Sequence, residues 1–366
     1  MNPLGKRLLA CAFVASILGC DEVGESYAIA TVSPWNEAYG LMSRQGAELA
    51  VEQVNQRGGV RSRRLTLVPF DDEGTGTKAA AVAQELVSTD SILAVVGHAN
   101  SSATVAAARV YDGRLPMVSP SASSPELTGI SPWVFRVIPS DSANGQDLAR
   151  FATSLGHTKA AILYENNSYG RGLADAFRRA FRGEIIALDP VSVDGKEVEP
   201  YLAYLRLHNP GLIFAAGSEA SGLGILREAR RQGLSADFLG GDGWVGITTD
   251  TIAAEGVFVA APFTTEDARR DVQAFVRAFR TKFGRDPNGF AALAYDATMV
   301  IAQAIGEAGG DREGIRDYLA SMGADRAYDG ITGRISFDRT GDVAAKPMAV
   351  TRVRRGALVV HNGGRQ

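Results

Sequence analysis

Short apolar runs alternate along this chain with longer segments whose apolar residues recur three and four positions apart. Two early runs, Tyr27–Val32 and Leu65–Phe70, have the length of β-strands, and the segment between them, 46–54, has helical spacing. The run Ile92–Val96 is apolar throughout, which is typical of a strand in a parallel sheet covered by helices on both faces. The alternation therefore predicts an α/β fold.

The strand–helix alternation occurs in two series, after which three helices follow one another and three strands close the chain. Two such series predict two doubly wound lobes, each with a parallel sheet. The predicted strands are 27–32, 65–70, 92–96, 116–118, 160–164, 185–188, 212–216, 238–239, 257–260, 334–337, 349–353 and 358–360. The predicted helices are 46–54, 78–87, 102–111, 146–155, 172–181, 198–205, 223–231, 272–283, 291–307 and 314–321.

Three crossings between the lobes are predicted, near residues 137–139, 261–263 and 330–332. Three hinge strands between two α/β lobes permit closure around a ligand. The predicted boundaries are 27–138 and 264–330 for lobe 1, and 139–263 and 331–366 for lobe 2.

The first residues have the pattern of an export signal. The basic pair Lys6-Arg7 precedes an almost wholly apolar segment, 8–18, and a small residue stands before Cys20. This order predicts a lipoprotein signal peptide over residues 1–19, a lipidated Cys20 and a tether over 20–26. A buried N-terminal strand is the alternative. It does not account for a basic pair before the apolar segment and two acids directly after it.

Composition and charge narrow the function classes. The chain has 366 residues, of which 45% are hydrophobic, and its formal net charge is −3. Such a balance gives no basic surface for nucleic acid, so we expect membrane contact through the lipid anchor only. The four histidines show no metal-ligand spacing, and the Gly217-Ser218-Glu219 segment lacks the second glycine of a nucleophile elbow. We therefore expect no enzyme activity, no metal and no cofactor.

Several motifs resemble one family of binding proteins. The resemblance extends over about 27–360, and its most specific part is the segment 119–128. The segments that carry it are 46–55 with 58–60, 71–72, 95–98 with 101–102, 119–128, 135–136, 169–172, and 337–338 with 341–342. Together they are similar to the type I periplasmic binding proteins, in particular the branched-chain amino-acid (Leu/Ile/Val) binding proteins of ABC transporters. The resemblance implies the two-lobed Venus-flytrap architecture of that family.

Two serine-containing loops of the first lobe are candidates for binding a carboxylate. Ser101 and Ser102 stand between an apolar strand and a helix, where hydroxyls and free amides form an anion site. The resemblance implies that Ser101 holds the α-carboxylate of the ligand. It also implies that Ala122 and Ser123 form the second loop of that site. Simple helix capping and a Ser-Pro-rich turn remain the alternatives for the two loops.

The second lobe supplies candidates for the other end of an amino acid. By resemblance, Asp242 binds the ligand ammonium, where the family often has Glu, and Tyr169 closes over the ligand. Ser218 and Glu219 lie where the family has another aromatic residue, so the sequence departs from the family pattern there. An Asp-Gly turn is the alternative for Asp242, and a helix start is the alternative for Tyr169.

The resemblance also implies which residues contact the ligand side chain. Trp35 and Tyr39 follow the first strand, where the family contacts that side chain, and aromatic rings suit an apolar group. Packing of these rings on the surface loop is an equally open alternative. The function implied is an exported, monomeric binding lipoprotein that delivers an amino acid to an ABC permease. The alternative is a sensor for an amide, urea or another small polar molecule that signals to a membrane receptor.

Overall fold

Two β-sheets with helices packed on them form the structure, a computed structural model that describes residues 26–361. The predicted signal peptide and the lipidation site Cys20 lie outside the described residues. The strands are β1 Tyr27–Val32, β2 Leu65–Phe70, β3 Ile92–Val96, β4 Met117–Ser119, β5 Val134–Arg136, β6 Lys159–Glu165, β7 Glu184–Val191, β8 Leu212–Ala216, β9 Asp237–Gly240, β10 Phe258–Ala261, β11 Tyr328–Gly330, β12 Gly333–Ile335, β13 Ala349–Arg354 and β14 Ala357–Val360. The helices are α1 Ala38–Gln56, α2 Gly76–Val87, α3 Ser101–Tyr111, α4 Asp141–Ser154, α5 Ser168–Ala180, α6 Glu199–His208, α7 Glu219–Arg231, α8 Arg270–Phe283, α9 Gly289–Ala308 and α10 Arg312–Ala320.

The first sheet has the order β2-β1-β3-β4-β5, and all its strand pairs are parallel. Helices α2 and α3 pack on one face, while α1, α9 and α10 pack on the other. Both faces are therefore buried, which accounts for the continuous apolar run of β3. Gly46 lies in the middle of α1 because a Cβ there would overlap the Ala291 carbonyl of α9. Helix α1 begins at Ala38, eight residues before the start predicted at this glycine.

The second sheet has the order β14-β13-β10-β9-β8-β6-β7. Strands β6 to β10 pair in parallel, and the hairpin β13–β14 adds two antiparallel strands at one edge. Helices α6 and α7 cover one face, and α4 and α5 cover the other. The predicted fold class, two doubly wound lobes built on parallel sheets, is confirmed.

The chain passes between the two sheets three times. The first passage follows Ile138, and the second lies between Ala261 and Phe263. The predicted boundaries place the third crossing near residues 330–332 and residues 331–366 in lobe 2. The side chains of Phe337 and Val343 pack in the core of the first sheet, so residues 331–343 do not belong to the second lobe. The third passage therefore lies in the segment before β13.

The segment predicted as a closing strand, 334–337, also differs from its prediction. Its first part pairs with Tyr328–Gly330 in a separate two-stranded hairpin, so it joins neither sheet. Helix α9 is the one described helix that is long and apolar enough to cross a membrane, with a mean hydropathy of 1.3. Because 78% of it is buried against the first sheet and its helices, it is a core helix here.

Candidate functional site

A cavity of about 480 Å³ lies between the two sheets. The first sheet contributes the loops after β1, β2, β3 and β4, and the second contributes the loops after β6, β7, β8 and β9. These loops follow the carboxyl ends of the strands, where open α/β sheets bind ligands. The described lining residues are Glu37, Tyr39, Glu73, Gly74, Ala99, Asn100, Ser101, Ser102, Ser121, Glu165, Asn167, Tyr169, Val193, Asp194, Ser218, Ala220, Asp242, Gly243 and Phe290.

Helix α3 begins at the cavity wall. Its N-cap is Asn100, whose side chain accepts a hydrogen bond from Ala103 N at 2.8 Å. Ser101 and Ser102 are therefore free of the capping role that was their alternative. The Oγ of Ser101 accepts from Ser124 N at 3.1 Å, which ties this helix to the next loop of the same lobe. The first amides of a helix lack intrahelical acceptors, so an anion at Ser101 and Ser102 gains their hydrogen bonds.

Helix α5 of the second lobe also begins at the cavity. Its N-cap, Asn167, accepts from Gly170 N at 2.8 Å, and the amide of Ser168 donates to the Oγ of Ser102 at 3.3 Å. The N-termini of α3 and α5 thus meet at the same cavity. Both ends carry partial positive charge, so this part of the cavity favours a carboxylate.

Asp242 supplies the opposite charge. It follows β9, is 4% exposed and lines the cavity. Its Oδ1 accepts a hydrogen bond from the Tyr169 hydroxyl at 3.0 Å, and that hydroxyl accepts from Gly243 N at 3.1 Å. Burial raises the pKa of Asp242 to about 6, although the bond from Tyr169 lowers it. A buried carboxylate of this kind is stabilised by a cation placed against it.

A second buried carboxylate, Asp141, lies close to Asp242. Burial and the charge of Asp242 raise the pKa of Asp141 well above its usual range. The Oγ of Ser123 donates to Asp141 Oδ2 at 3.0 Å, and Asp141 N donates to the Ser123 carbonyl at 2.8 Å. Ser123 belongs to the first lobe and Asp141 begins α4 of the second, so the two bonds connect the lobes beside the first crossing.

Buried polar networks hold the first-lobe loops in place. The imidazole of His98 is fully buried between Asp72 Oδ2, at 2.7 Å, and the Tyr111 hydroxyl, at 3.1 Å. The carbonyl of His98 accepts from the Oγ of Ser119 at 2.8 Å, which joins the loops after β3 and β4. Since these groups satisfy one another away from water, the loop that carries Ser101 is rigid.

Arg136 holds the segment 119–128 in place through hydrogen bonds. Its guanidinium is 2% exposed, donates to both carboxylate oxygens of Asp342 at 2.7 Å, and donates to the Ser124 carbonyl at 2.7 Å. A bidentate pair of this kind adds geometric specificity as well as energy. The Phe135-Arg136 and Gly341-Asp342 motifs thus have a structural role in shaping the cavity wall.

The cavity brings together six of the ten predicted ligand-binding residues: Ser101, Ser102, Tyr39, Tyr169, Ser218 and Asp242. The other four do not line it. The methyl group of Ala122 packs in the first-sheet core, and the hydroxyl of Ser123 is used by Asp141. Glu219 accepts from Thr249 at 3.1 Å, and Trp35 is 43% exposed, with the Arg44 guanidinium over its ring.

Other lining residues were not predicted. Ser121, one position before Ala122, lines the cavity and donates to the Ala99 carbonyl at 2.6 Å. Phe290 packs against Tyr39 with ring centroids 5.5 Å apart, and Glu37 and Glu165 add two carboxylates. The prediction named Ala122, one residue too late. The Ser-Pro-Ser start of the loop could have indicated Ser121. Glu37, Glu165 and Phe290 carry no local signal of their position. Within the described residues, no group of three or more His, Cys, Asp or Glu is arranged to hold a metal ion.

Comparison with known proteins agrees with this architecture. The sequence profile of the family described as "Periplasmic binding protein" matches residues 28–357. This chain belongs to that family. A relative from Pseudomonas aeruginosa, the leucine-, isoleucine-, valine-, threonine- and alanine-binding protein, is 30% identical over 352 residues, which cover 92% of each protein. The Leu/Ile/Val-binding protein of Escherichia coli K12 is 29% identical over 94% of this chain and 95% of its own length.

Solved structures of this periplasmic binding protein family have the same fold. The branched-chain amino acid transporter substrate-binding protein of Streptococcus pneumoniae, in complex with isoleucine, has a TM-score of 0.85 and 28% identity. The match covers 92% of this chain and 99% of that one. A solute-binding protein from R. palustris in complex with benzoate has a TM-score of 0.84 at 19% identity, covering 92% and 95%. At that identity the likeness shows the fold alone.

Proposed function

We propose that this protein is the extracytoplasmic substrate-binding lipoprotein of an ABC importer, and that it captures an amino acid between two closing lobes. The cavity between the sheets carries the proposal, because it offers opposite charges at matching positions. The helix N-termini at Ser101 and Ser168 suit an α-carboxylate, and the buried carboxylate of Asp242 suits an α-ammonium. An α-amino acid carries both charged groups on a single carbon atom.

The division of these groups between the lobes supports a closing mechanism. Ser101 and Ser102 belong to the first lobe, while Tyr169 and Asp242 belong to the second. A ligand that bridges them gains all its contacts only when the lobes are together, so it stabilises the closed form by its differential affinity. The family and its relatives support transport as the purpose of capture, and the order of residues 1–20 supports a lipid anchor.

Calorimetry of two variants tests the site. Asp242→Ala should weaken binding of an α-amino acid by about 2–5 kcal/mol, the range for removing one side of a buried charge pair. Asp242→Asn should weaken it less. Asp194→Asn is the matched control, because Asp194 lines the same cavity but is paired with Lys196 at 2.8 Å on the surface. Wild-type affinity in both Asp242 variants would remove Asp242 from the binding site.

Small-angle scattering tests the closure. A tightly bound amino acid should reduce the radius of gyration and raise the melting temperature by mass action. Ser101→Ala should reduce the affinity while the protein remains folded, because Asn100 and not Ser101 caps α3. A radius of gyration unchanged by saturating ligand would refute capture by lobe closure.

A further inference from the structure

The charged side chains among the described lining residues of the cavity are all negative. Among its described lining residues, five carry a carboxylate and none is Lys, Arg or His. The acidic residues are Glu37, Glu73, Glu165, Asp194 and Asp242. Glu73 lies 3.7 Å from Lys78, Asp194 is paired with Lys196, and Asp242 is the proposed ammonium partner. An α-amino acid with an apolar side chain leaves the remaining two, Glu37 and Glu165, without a cation.

Glu165 is a fixed, buried carboxylate at the end of β6. It is 3% exposed, and its Oε1 accepts from the amide and the hydroxyl of Ser218 at 2.8 and 2.6 Å. Asn167 Nδ2 donates to its Oε2 at 2.8 Å. These bonds keep the charge at one position on the cavity wall, where a ligand finds it preorganised.

Glu37 lines the cavity, is exposed, and has no side-chain hydrogen-bond or ion-pair partner among residues 26–361. It precedes α1 as the N-cap, yet its side chain makes no capping hydrogen bond. Partial burial and the charges of Glu165 and Glu219 raise the pKa of Glu37. Two like charges on opposite loops of one cavity repel each other, and a cation between them removes that repulsion.

The aromatic wall beside these carboxylates suits the stem of a ligand side chain. Tyr39 and Phe290 are in contact, and Asn100 Nδ2 donates to the Tyr39 hydroxyl at 3.3 Å. Tyr39, Glu37 and Glu165 line the same cavity, and burial, with the charges of the two carboxylates among further causes, raises the pKa of Tyr39 to about 12. A methylene chain along the rings, ending in a charged nitrogen, uses both features of this wall.

We propose, on the basis of the function proposed above, that the ligand is an amino acid whose side chain ends in a protonated nitrogen, with Glu37 and Glu165 facing it. An apolar side chain of the same length covers Glu37 without pairing it, and covering an unpaired charge costs free energy. Selectivity therefore comes from the unfavourable burial of these carboxylates as well as from the ion pairs that a cation forms.

Ligands of matched shape test this inference. L-Ornithine and L-norleucine have side chains of equal length that end in an ammonium and a methyl group, respectively. Calorimetry at pH 7.5 should show about tenfold or greater preference for ornithine, since a partly desolvated ion pair replaces an unpaired charge. L-Glutamine, with a neutral N–H donor, should fall between the two.

Variants assign the preference to its residues. Glu37→Gln should reduce the ornithine-to-norleucine affinity ratio by about fivefold or more, mainly by weakening ornithine. Glu73→Gln is the matched control and should leave the ratio unchanged, because Glu73 lies on the same cavity beside Lys78. An ornithine preference that survives Glu37→Gln unchanged would refute the role of Glu37.

The remaining outcomes separate this inference from the proposed function. Norleucine binding as tight as ornithine binding, and weakened by Asp242→Asn, would overturn the cationic side chain and keep amino-acid capture. Binding of none of the three amino acids in calorimetry would overturn both.

Discussion

Amino-acid binding by this protein should weaken in acid, because Asp242 must be ionised to hold an ammonium. Burial raises the pKa of this carboxyl to about 6 from the ordinary value of 3.8. The α-ammonium and α-carboxylate of the ligand do not titrate between pH 5 and pH 7.5. In that range, Asp242 therefore changes the charge match directly.

The size of the effect follows from the pKa. At pH 7.5 about 97% of the free protein carries an ionised Asp242, and at pH 5 about 9% does. The Kd should therefore rise about tenfold over this range, which corresponds to about 1.4 kcal/mol. The pH dependence that Asp242 gives to the stability of the ligand-free protein has the opposite direction, because this stability increases as the pH falls. The folded state binds more protons between pH 3.8 and 6 than the unfolded state, so protonation in that window relieves the cost of burying Asp242.

Calorimetry at pH 5, 6 and 7.5 measures the change, and Asp242→Asn is its control. The variant should bind weakly at each pH, and its Kd should lack the change with pH that Asp242 causes. Other groups then account for any slope that remains in the variant. A wild-type Kd that is the same at pH 5 and pH 7.5 would refute the reasoning, since the anchor would then be either ionised throughout or uninvolved.

Three further predictions concern export, stability and the hinge. Cys20→Ser should leave unprocessed precursor without lipid label in a palmitate-incorporation assay, and normal cleavage and release of that variant would contradict the lipoprotein hypothesis. Arg136→Met should lower the free energy of unfolding by about 3–5 kcal/mol in urea titrations, because Asp342 loses its buried partner, and a loss below about 1 kcal/mol would contradict it. Burial lowers the pKa of Lys346 to about 8, so the unfolded state binds more protons between pH 8 and 10.5 and stability rises with pH there. Relative to Lys346→Met, the wild type should gain about 2 kcal/mol between pH 7.5 and 9.5 in chemical denaturation, and parallel curves would contradict this.

Local patterns in the sequence predicted much of the fold. The strands Leu65–Phe70 and Ile92–Val96 begin and end where they were predicted. For Ile92–Val96 the apolar run is continuous because both faces of the first sheet are covered there. The hairpin segment 334–337 was predicted as a strand, but its apolar residues could not reveal which part of the fold it would join. The side chains of Ile335 and Phe337 pack in the first core, and this choice depends on contacts distant in sequence.

The candidate site also has residues that the sequence could mark and residues that it could not. Ser101 and Asp242 stand at the ends of apolar strands next to helix or turn signals, so the sequence alone could mark them. Ser123 carries the same kind of signal, but its hydroxyl is used by Asp141, 18 residues away across a lobe crossing. Glu37 and Glu165 belong to different lobes, and only the folded chain places them on one cavity.

The lobe crossings and the proposed ligand anchor, Asp242, form one polar region in this structure. Lys346 lies in the third crossing and donates to the Val137 carbonyl of the first crossing at 2.8 Å. Ser123 and Asp141 join the lobes beside that same first crossing, and Asp141 is buried near enough to Asp242 for the charge of one to raise the pKa of the other. An ammonium bound at Asp242 offsets the negative charge next to Asp141. In the proposed function, ligand binding would therefore change the electrostatic free energy of a group that is hydrogen-bonded across the lobes, and this would couple the occupied anchor to the crossing about which the lobes would close.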